Sequence, residues 1–301
     1  MSSSSNPFAA FALPTSVPSG GTVVATSTFA AGIPFADICN RNTKRMRTAA
    51  ATDLENMPGE DLTRNAKGLM EKYRSPGEPE WPLRLLIVGH NPSEKAWKLG
   101  HYYANPSNKM WKLLTAAEIV PARFTASDDD KCPITSGVGF TDLGFSHPGT
   151  ISSEFKREEL HRWREDFYER VASHAQRAAA TVAEMADTDA DPVKGYPQVV
   201  AFAGKRQWEE LFHDADAGTK ARTKGGKAGS FEFGQQPTSL RPPEWPFPPE
   251  STEVFVLPSS SGAAAMTNAA REGPYLELGR YMSRCGPWGR SRRRRTAAGS
   301  P

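Results

Sequence analysis

Asn91 follows directly on an apolar run, "LLIVGH", and His101, Tyr102 and Tyr103 come ten to twelve residues later. An asparagine amide donates and accepts hydrogen bonds but takes up no proton at neutral pH. It can orient a water without acting as a strong base. A reaction that it serves must therefore need little base help. Hydrolysis of an N-glycosidic bond meets that condition, because the sugar develops oxocarbenium character before water attacks. The site must also hold a flat base and hydrogen-bond its carbonyl. Tyr103 is suited to stack on a base. Backbone N–H groups past Gly89, around His90 and Asn91, are suited to its carbonyl oxygen. Taken singly, each feature has a plainer reading: Asn91-Pro92 as a turn after a strand, Tyr103 as a core aromatic.

Other chemistries lack their residues. The chain has no GxSxG elbow, no HExxH and no Walker A loop, and "GHNPSEKAWKLG" lacks dinucleotide-fingerprint glycine spacing. Three scattered cysteines, Cys39, Cys132 and Cys285, fit neither an iron–sulfur cluster nor a structural zinc, and point to a reducing compartment. No metal or cofactor is expected, and no apolar run approaches the ~20 residues of a membrane span.

Four short apolar runs must position these residues: "LRLLIVG" (83–89), "GVGFTDL" (137–143), "QVVAFAG" (198–204) and "EVFVLPS" (253–259). Helical periodicity lies between them, around 108–117, 153–184 and 205–213, and also over 61–73. Alternation of this kind implies an α/β fold: a three-layer α/β/α sandwich on a central, mainly parallel four-stranded sheet. In such sheets ligands bind beyond the carboxyl ends of the strands. Those ends read Gly89-His90-Asn91-Pro92, Thr141-Asp142, Gly204-Lys205 and Pro258-Ser259-Ser260-Ser261-Gly262. They should face one cleft.

The ends of the chain read differently. Residues 1–36 carry no charged side chain and 1–54 read as disordered, with the basic run "RNTKRMR" at 41–47. The folded domain is expected over 55–285, with a flexible Gly/Lys/Pro-rich insertion at 214–250. Residues 286–301 read as a disordered basic tail containing "RSRRRR". The net charge of +3 is modest, but this arginine cluster is suited to phosphate attraction or nuclear import.

Six stretches occur in order: "VGHNPS", "GHYYANPSNKMW", "GVGFTDL", "FAGKRQWEELF", "FEFGQQP" and "LPSSSGAAA". Together they resemble the mismatch-specific uracil-DNA and thymine-DNA glycosylases of the uracil-DNA glycosylase superfamily, with patterns GINPG, GHHY/F-x-x-PGN-x-FW, GxGxTN, FNGK, LEFGLQP and PSSSA/NPSG. The resemblance spans roughly residues 80–283. It implies a monofunctional glycosylase, without cofactor, that flips out uracil (thymine or a modified pyrimidine as alternatives) opposite guanine and hydrolyses its bond. The implied partner is duplex DNA with a G·U or G·T mismatch, bound by a monomer in the nucleus, with mitochondrion or plastid as alternatives. A catalytically weak or inactive DNA-binding member of the same fold is the other reading.

By the same resemblance, Asn91 places the attacking water and Tyr103 stacks on the flipped base. Gly89, His90, His101 and Asp142 fall in the base-binding motifs, and Asn108 fixes the loop after Tyr103. Lys205, Ser259, Ser260, Ser261, Gly262 and Ala263 fall in the DNA-gripping segments. The chain departs from the family in places. His90 replaces Ile, Ser93 replaces Gly, Tyr102 replaces a second His, and Asp142 stands for Asn or Lys. Ala263 stands where relatives place Arg or Leu to fill the hole left by the flipped base.

One methyl group cannot fill that hole, so the enzyme should depend on weak base pairs. If a longer side chain recovers ~1 kcal/mol of the few kcal/mol that flipping costs, Ala263→Arg should speed uracil release from a duplex about fivefold. Its rate on single-stranded uracil should stay unchanged. Equal changes on both substrates would move the wedge role elsewhere, Met266 and Arg271 being the next residues in line.

Overall fold

The computed structural model describes residues 68–149, 155, 157–186, 188–225, 231–262 and 264–285. The expected disordered ends, the two basic runs and Ala263 lie outside these residues. Strands β1 (Leu85–Gly89), β2 (Val138–Asp142), β3 (Val199–Phe202) and β5 (Glu253–Val256) form at the four apolar runs. They pair in parallel in the order β2-β1-β3-β5. A fifth strand, β4 (Gly234–Gln235), adds antiparallel at the β5 edge. The sheet thus has five strands, not the four expected from sequence. Two residues are too short to leave a period-2 pattern, and β4 lies hidden inside "FEFGQQP".

Alternation along each strand divides the core in two. Leu85, Ile87, Val199, Ala201 and Phe255 point to one face, where they meet Met110, Trp111 and Leu114 of α2 (Met110–Ala116) and Tyr275, Leu278 and Met282 of α7 (Asn268–Arg284). Leu86, Val88, Val200, Phe202, Val254 and Val256 point to the other. There they pack on Trp163, Phe167 and Val171 of α4 (Arg157–Ala186) and Trp208 of α5 (Lys205–Glu210). Helices cover both faces, so the three-layer expectation holds. Among the described residues no helix is long and apolar enough to cross a membrane.

Three elements depart from the sequence reading. The helical spacing of 61–73 does not produce a helix over its described part. Lys72 instead bridges Phe140 in antiparallel fashion, donating to its carbonyl at 2.9 Å and accepting at 3.2 Å. The open edge of β2 offers unpaired backbone groups, and those outweigh a short amphipathic pattern. The 214–250 insertion holds a helix, α6 (Ala217–Lys224), and places Leu240 and Phe247 in the core. Its proline-bounded "EWPFPP" packs Trp245 against Phe247, ring centroids 4.5 Å apart, and against Trp208. Finally, α7 runs through Gly273-Pro274, a pair that reads as a breaker. Short helices α1 (Glu94–Leu99) and α3 (Cys132–Ser136) left no periodic signal either.

The α7 position depends on a close approach. A Cβ at Gly279 would lie 2.1 Å from the Ala117 carbonyl oxygen at the end of α2. Backbone cannot yield as a flexible side chain would. Gly279→Val should cost about 1–3 kcal/mol, read as a lower urea midpoint with an unchanged slope.

Candidate active site

β1 and β2 are in register, with Gly89 opposite Asp142. A Cβ at Gly89 would lie 1.9 Å from Asp142 Oδ1 and 3.2 Å from the Tyr103 hydroxyl. Glycine is what lets these two side chains meet above the strand end. The chain then turns: Leu143 N–H donates to Gly89 O and Gly144 N–H to His90 O. Ser93 caps α1, its hydroxyl accepting from Ala96 N–H, and Gly100 closes that helix at φ +71°. Tyr103 itself sits at φ +53°, a conformation uncommon for a bulky residue. Its ring meets Phe140 edge-on.

Asn91 is held from two sides. Its amide nitrogen donates to His147 O at 3.0 Å and Gly149 O at 3.2 Å, while its oxygen lies 2.8 Å from His90 Nδ1. The segment after Tyr103 is stitched to the serine loop. Lys109 N–H donates to Ser260 O at 2.8 Å, and Gly262 lies so close to Ser107 that a Cβ would meet its carbonyl oxygen at 2.5 Å. Asn108 accepts from Met110 N–H at 2.9 Å, where α2 begins. Between these loops is a cleft of about 220 Å³. Asn91, Tyr102, Tyr103, Asn108, Asp142, Ser261 and Gly262 line it.

The other residues expected from sequence lie around it. Gly89 and His90 adjoin it in the chain without lining it, and His101 is held elsewhere, its Nδ1 2.9 Å from Asp129 Oδ1. Ser259 and Ser260 carry the loop from below, Ser260 being buried. Lys205 is outside the cleft: its ammonium lies 3.3 Å from Glu209 and over the Phe231 ring. Arg271 is not free to act as a wedge. It is 1% exposed, and its guanidinium donates to Ser259 O at 3.1 Å and Ala264 O at 3.0 Å.

Three residues that position the site went unread in the sequence. Asp129 is fully buried and accepts from His101 and from Tyr102 N–H at 2.8 Å, with Lys72 3.4 Å away. Arg170 donates to the Asp142 carbonyl at 2.6 Å and to Glu71 at 3.0 Å. Tyr275 donates to Pro258 O at 3.0 Å. Nothing in "SDDDK" or in the long helix marks these side chains, because their partners are distant in sequence.

The electrostatics centre on Asp142. Burial raises its carboxyl from 3.8 to about 7, aided by Glu71 and opposed by His90 and Arg170. The Tyr103 phenol is pushed well above its usual range by burial and by Asp142. Among the described residues, the Tyr102 and Tyr103 hydroxyls are buried with no hydrogen-bond partner. Below neutrality the cleft is therefore lined by a protonated carboxyl and by two tyrosines whose hydroxyls are buried. One group of metal-ligand type exists among the described residues, His161, His213 and Asp214. None of the three lines the cleft, and Asp214 accepts from Arg164 at 3.0 Å in an ion-pair network.

A family model described as the uracil DNA glycosylase superfamily matches residues 76–278. The chain belongs to that superfamily. The match covers all five strands and the cleft residues from Asn91 to Gly262, and the family's chemistry is that of a DNA glycosylase. No curated protein matches the chain. In this superfamily member the strand ends carry a carboxyl, Asp142, in the lining of the cleft.

A raised carboxyl has a sign. The fold retains a proton that the unfolded chain releases, so this group's stability contribution is complete below about 3.8 and is lost as pH rises through about 7. Asp142→Asn should therefore be more stable than the parent above neutrality, on the order of a few kcal/mol, and no more stable at low pH. Urea midpoints compared on both sides of neutrality check this.

Proposed function

We propose that the protein is a monofunctional glycosylase that removes uracil mispaired with guanine, with thymine or a modified pyrimidine as further substrates. The observation that carries this reading is Asn91. Its amide nitrogen is tied to two backbone carbonyls, its oxygen lies against His90 Nδ1, and the residue lines the cleft. That oxygen has two lone pairs. One meets His90, and the other is available to a water. Water attack then forms the C1′–O bond while the C1′–N bond breaks, its electron pair leaving with the base. The water's proton passes to solvent.

The leaving base would be met by a donor rather than by a metal. Asp142 in its protonated form is the donor among the residues that line the cleft. Among the described residues no lysine lines the cleft, which supports hydrolysis to an abasic site over Schiff-base strand cleavage. The exposed Ser261 and Gly262 suit a loop that meets the DNA backbone. Preference for a mismatch rests on Ala263 and the weaker pairing at G·U. The basic runs at 41–47 and 290–295 support a nuclear protein with added non-specific affinity for DNA.

Asn91→Ala tests the assignment. Single-turnover release of uracil from a G·U duplex should fall by a factor on the order of a hundred or more, with duplex affinity retained. Near-parent release would remove Asn91 from the mechanism. A parent protein that binds but releases no base would favour the inactive DNA-binding reading.

A further inference from the structure

His90 replaces an apolar residue of the family patterns, and the structure gives it two polar partners. Its Nδ1 lies 2.8 Å from Asn91 Oδ1, and its Nε2 lies 3.2 Å from Glu210 Oε1 and 3.0 Å from Glu210 Oε2. The side chains of His90 and Glu210 are 11% and 13% exposed. Trp163 meets the imidazole edge-on at 5.4 Å, and Phe155 is tilted against it at 6.3 Å.

Hydrogen-bond counting fixes the proton inventory. Turning the Asn91 amide over would set its oxygen against His147 O and Gly149 O, two acceptors, so the oxygen must face His90. Glu210 Oε1 also accepts from Arg206 Nε at 2.6 Å, so the oxygen that His90 faces is already an acceptor in an ion pair. His90 then faces an acceptor at each ring nitrogen. A neutral imidazole donates from only one. Both contacts are satisfied only by the doubly protonated ring.

We infer that His90 is a positioning residue, an imidazolium strap from Glu210 on α5 to Asn91, which holds the Asn91 oxygen with one lone pair on His90 and the other toward the cleft. This rests on the glycosylase reading of the cleft. The strap makes water placement depend on a proton that is not itself transferred. In a singly protonated ring one of the two contacts would be acceptor against acceptor, and the amide would be released. The other titratable and charged groups around the ring are Asp142 on β2, Arg206 paired to Glu210, Arg170 at the Asp142 carbonyl, and His147, which shares the Trp163 ring.

Two measurements test this, one of them independent of catalysis. Nitrogen NMR on protein labelled at histidine, with the His90 signal identified by its loss in His90→Asn, should show both ring nitrogens protonated near neutral pH. A singly protonated ring there overturns the inference, whether or not the protein cleaves DNA. The second is single-turnover uracil release against pH. The parent should lose rate on the alkaline side. That fall should persist in Asp142→Asn, which separates it from the Asp142 carboxyl.

It should move to lower pH in Glu210→Gln, because loss of the anion weakens the cation. His90→Leu should lose about 10–100-fold, the cost of a group misplaced by about 1 Å, and show no alkaline fall. His90→Asn can still donate an N–H to Asn91, so it should recover much of the rate, again without the fall. Parent-like rate and pH profile in His90→Leu would overturn the strap. An Asn91→Ala variant that cleaves normally would instead overturn the role of Asn91, with the NMR result still deciding the state of His90.

Discussion

Gly89 and Asp142 sit side by side at the ends of two parallel strands, with no space between them for even a methyl group. The rest of the site depends on that contact. It brings a carboxyl under Tyr103 and into a buried setting, where the charged form is penalised. It also fixes the point at which the chain leaves the sheet, and with it the direction of His90 and Asn91. A side chain at Gly89 would push Asp142 and Tyr103 apart and open the cleft that both line.

Buried polar groups then hold the loops that the sheet cannot. Asp129 ties down the segment through His101 and Tyr102, and Arg271 with Tyr275 ties down the serine loop through its carbonyls. The two loops are joined directly by Lys109 and Ser260. Each anchor satisfies backbone groups that would otherwise be left unpaired away from water, a cost of about 1–3 kcal/mol per group. The cleft is thereby built on rigid support, which an asparagine-directed reaction requires: an amide contributes position, not basicity.

Much of this was legible in the sequence, for physical reasons. The four parallel strands are buried on both faces, so they read as continuous apolar runs, and their polar ends mark one edge of the sheet. Asn91, Tyr103, Asp142, Ser261 and Gly262 do meet in one cleft, because strand ends in such a sheet converge. What was hidden depends on distant partners or short elements. β4 is two residues long, α7 carries Gly-Pro within it, and Lys72 leaves a helical pattern to pair with a strand edge. Arg271, next in line for the wedge by its place in the chain, is instead a buried clamp. Lys205 follows a strand end yet turns toward Glu209.

The central claim is that this cleft receives a base and that water, directed by an amide, cuts it from the sugar. The direct measurement is free uracil released by the unaltered protein from a G·U duplex, followed by chromatography, with the DNA strand inspected before and after alkali. The account predicts free uracil and a strand that breaks only after alkali, with the same yield in EDTA. Strand breakage without alkali, or bound duplex with no uracil released, would contradict it.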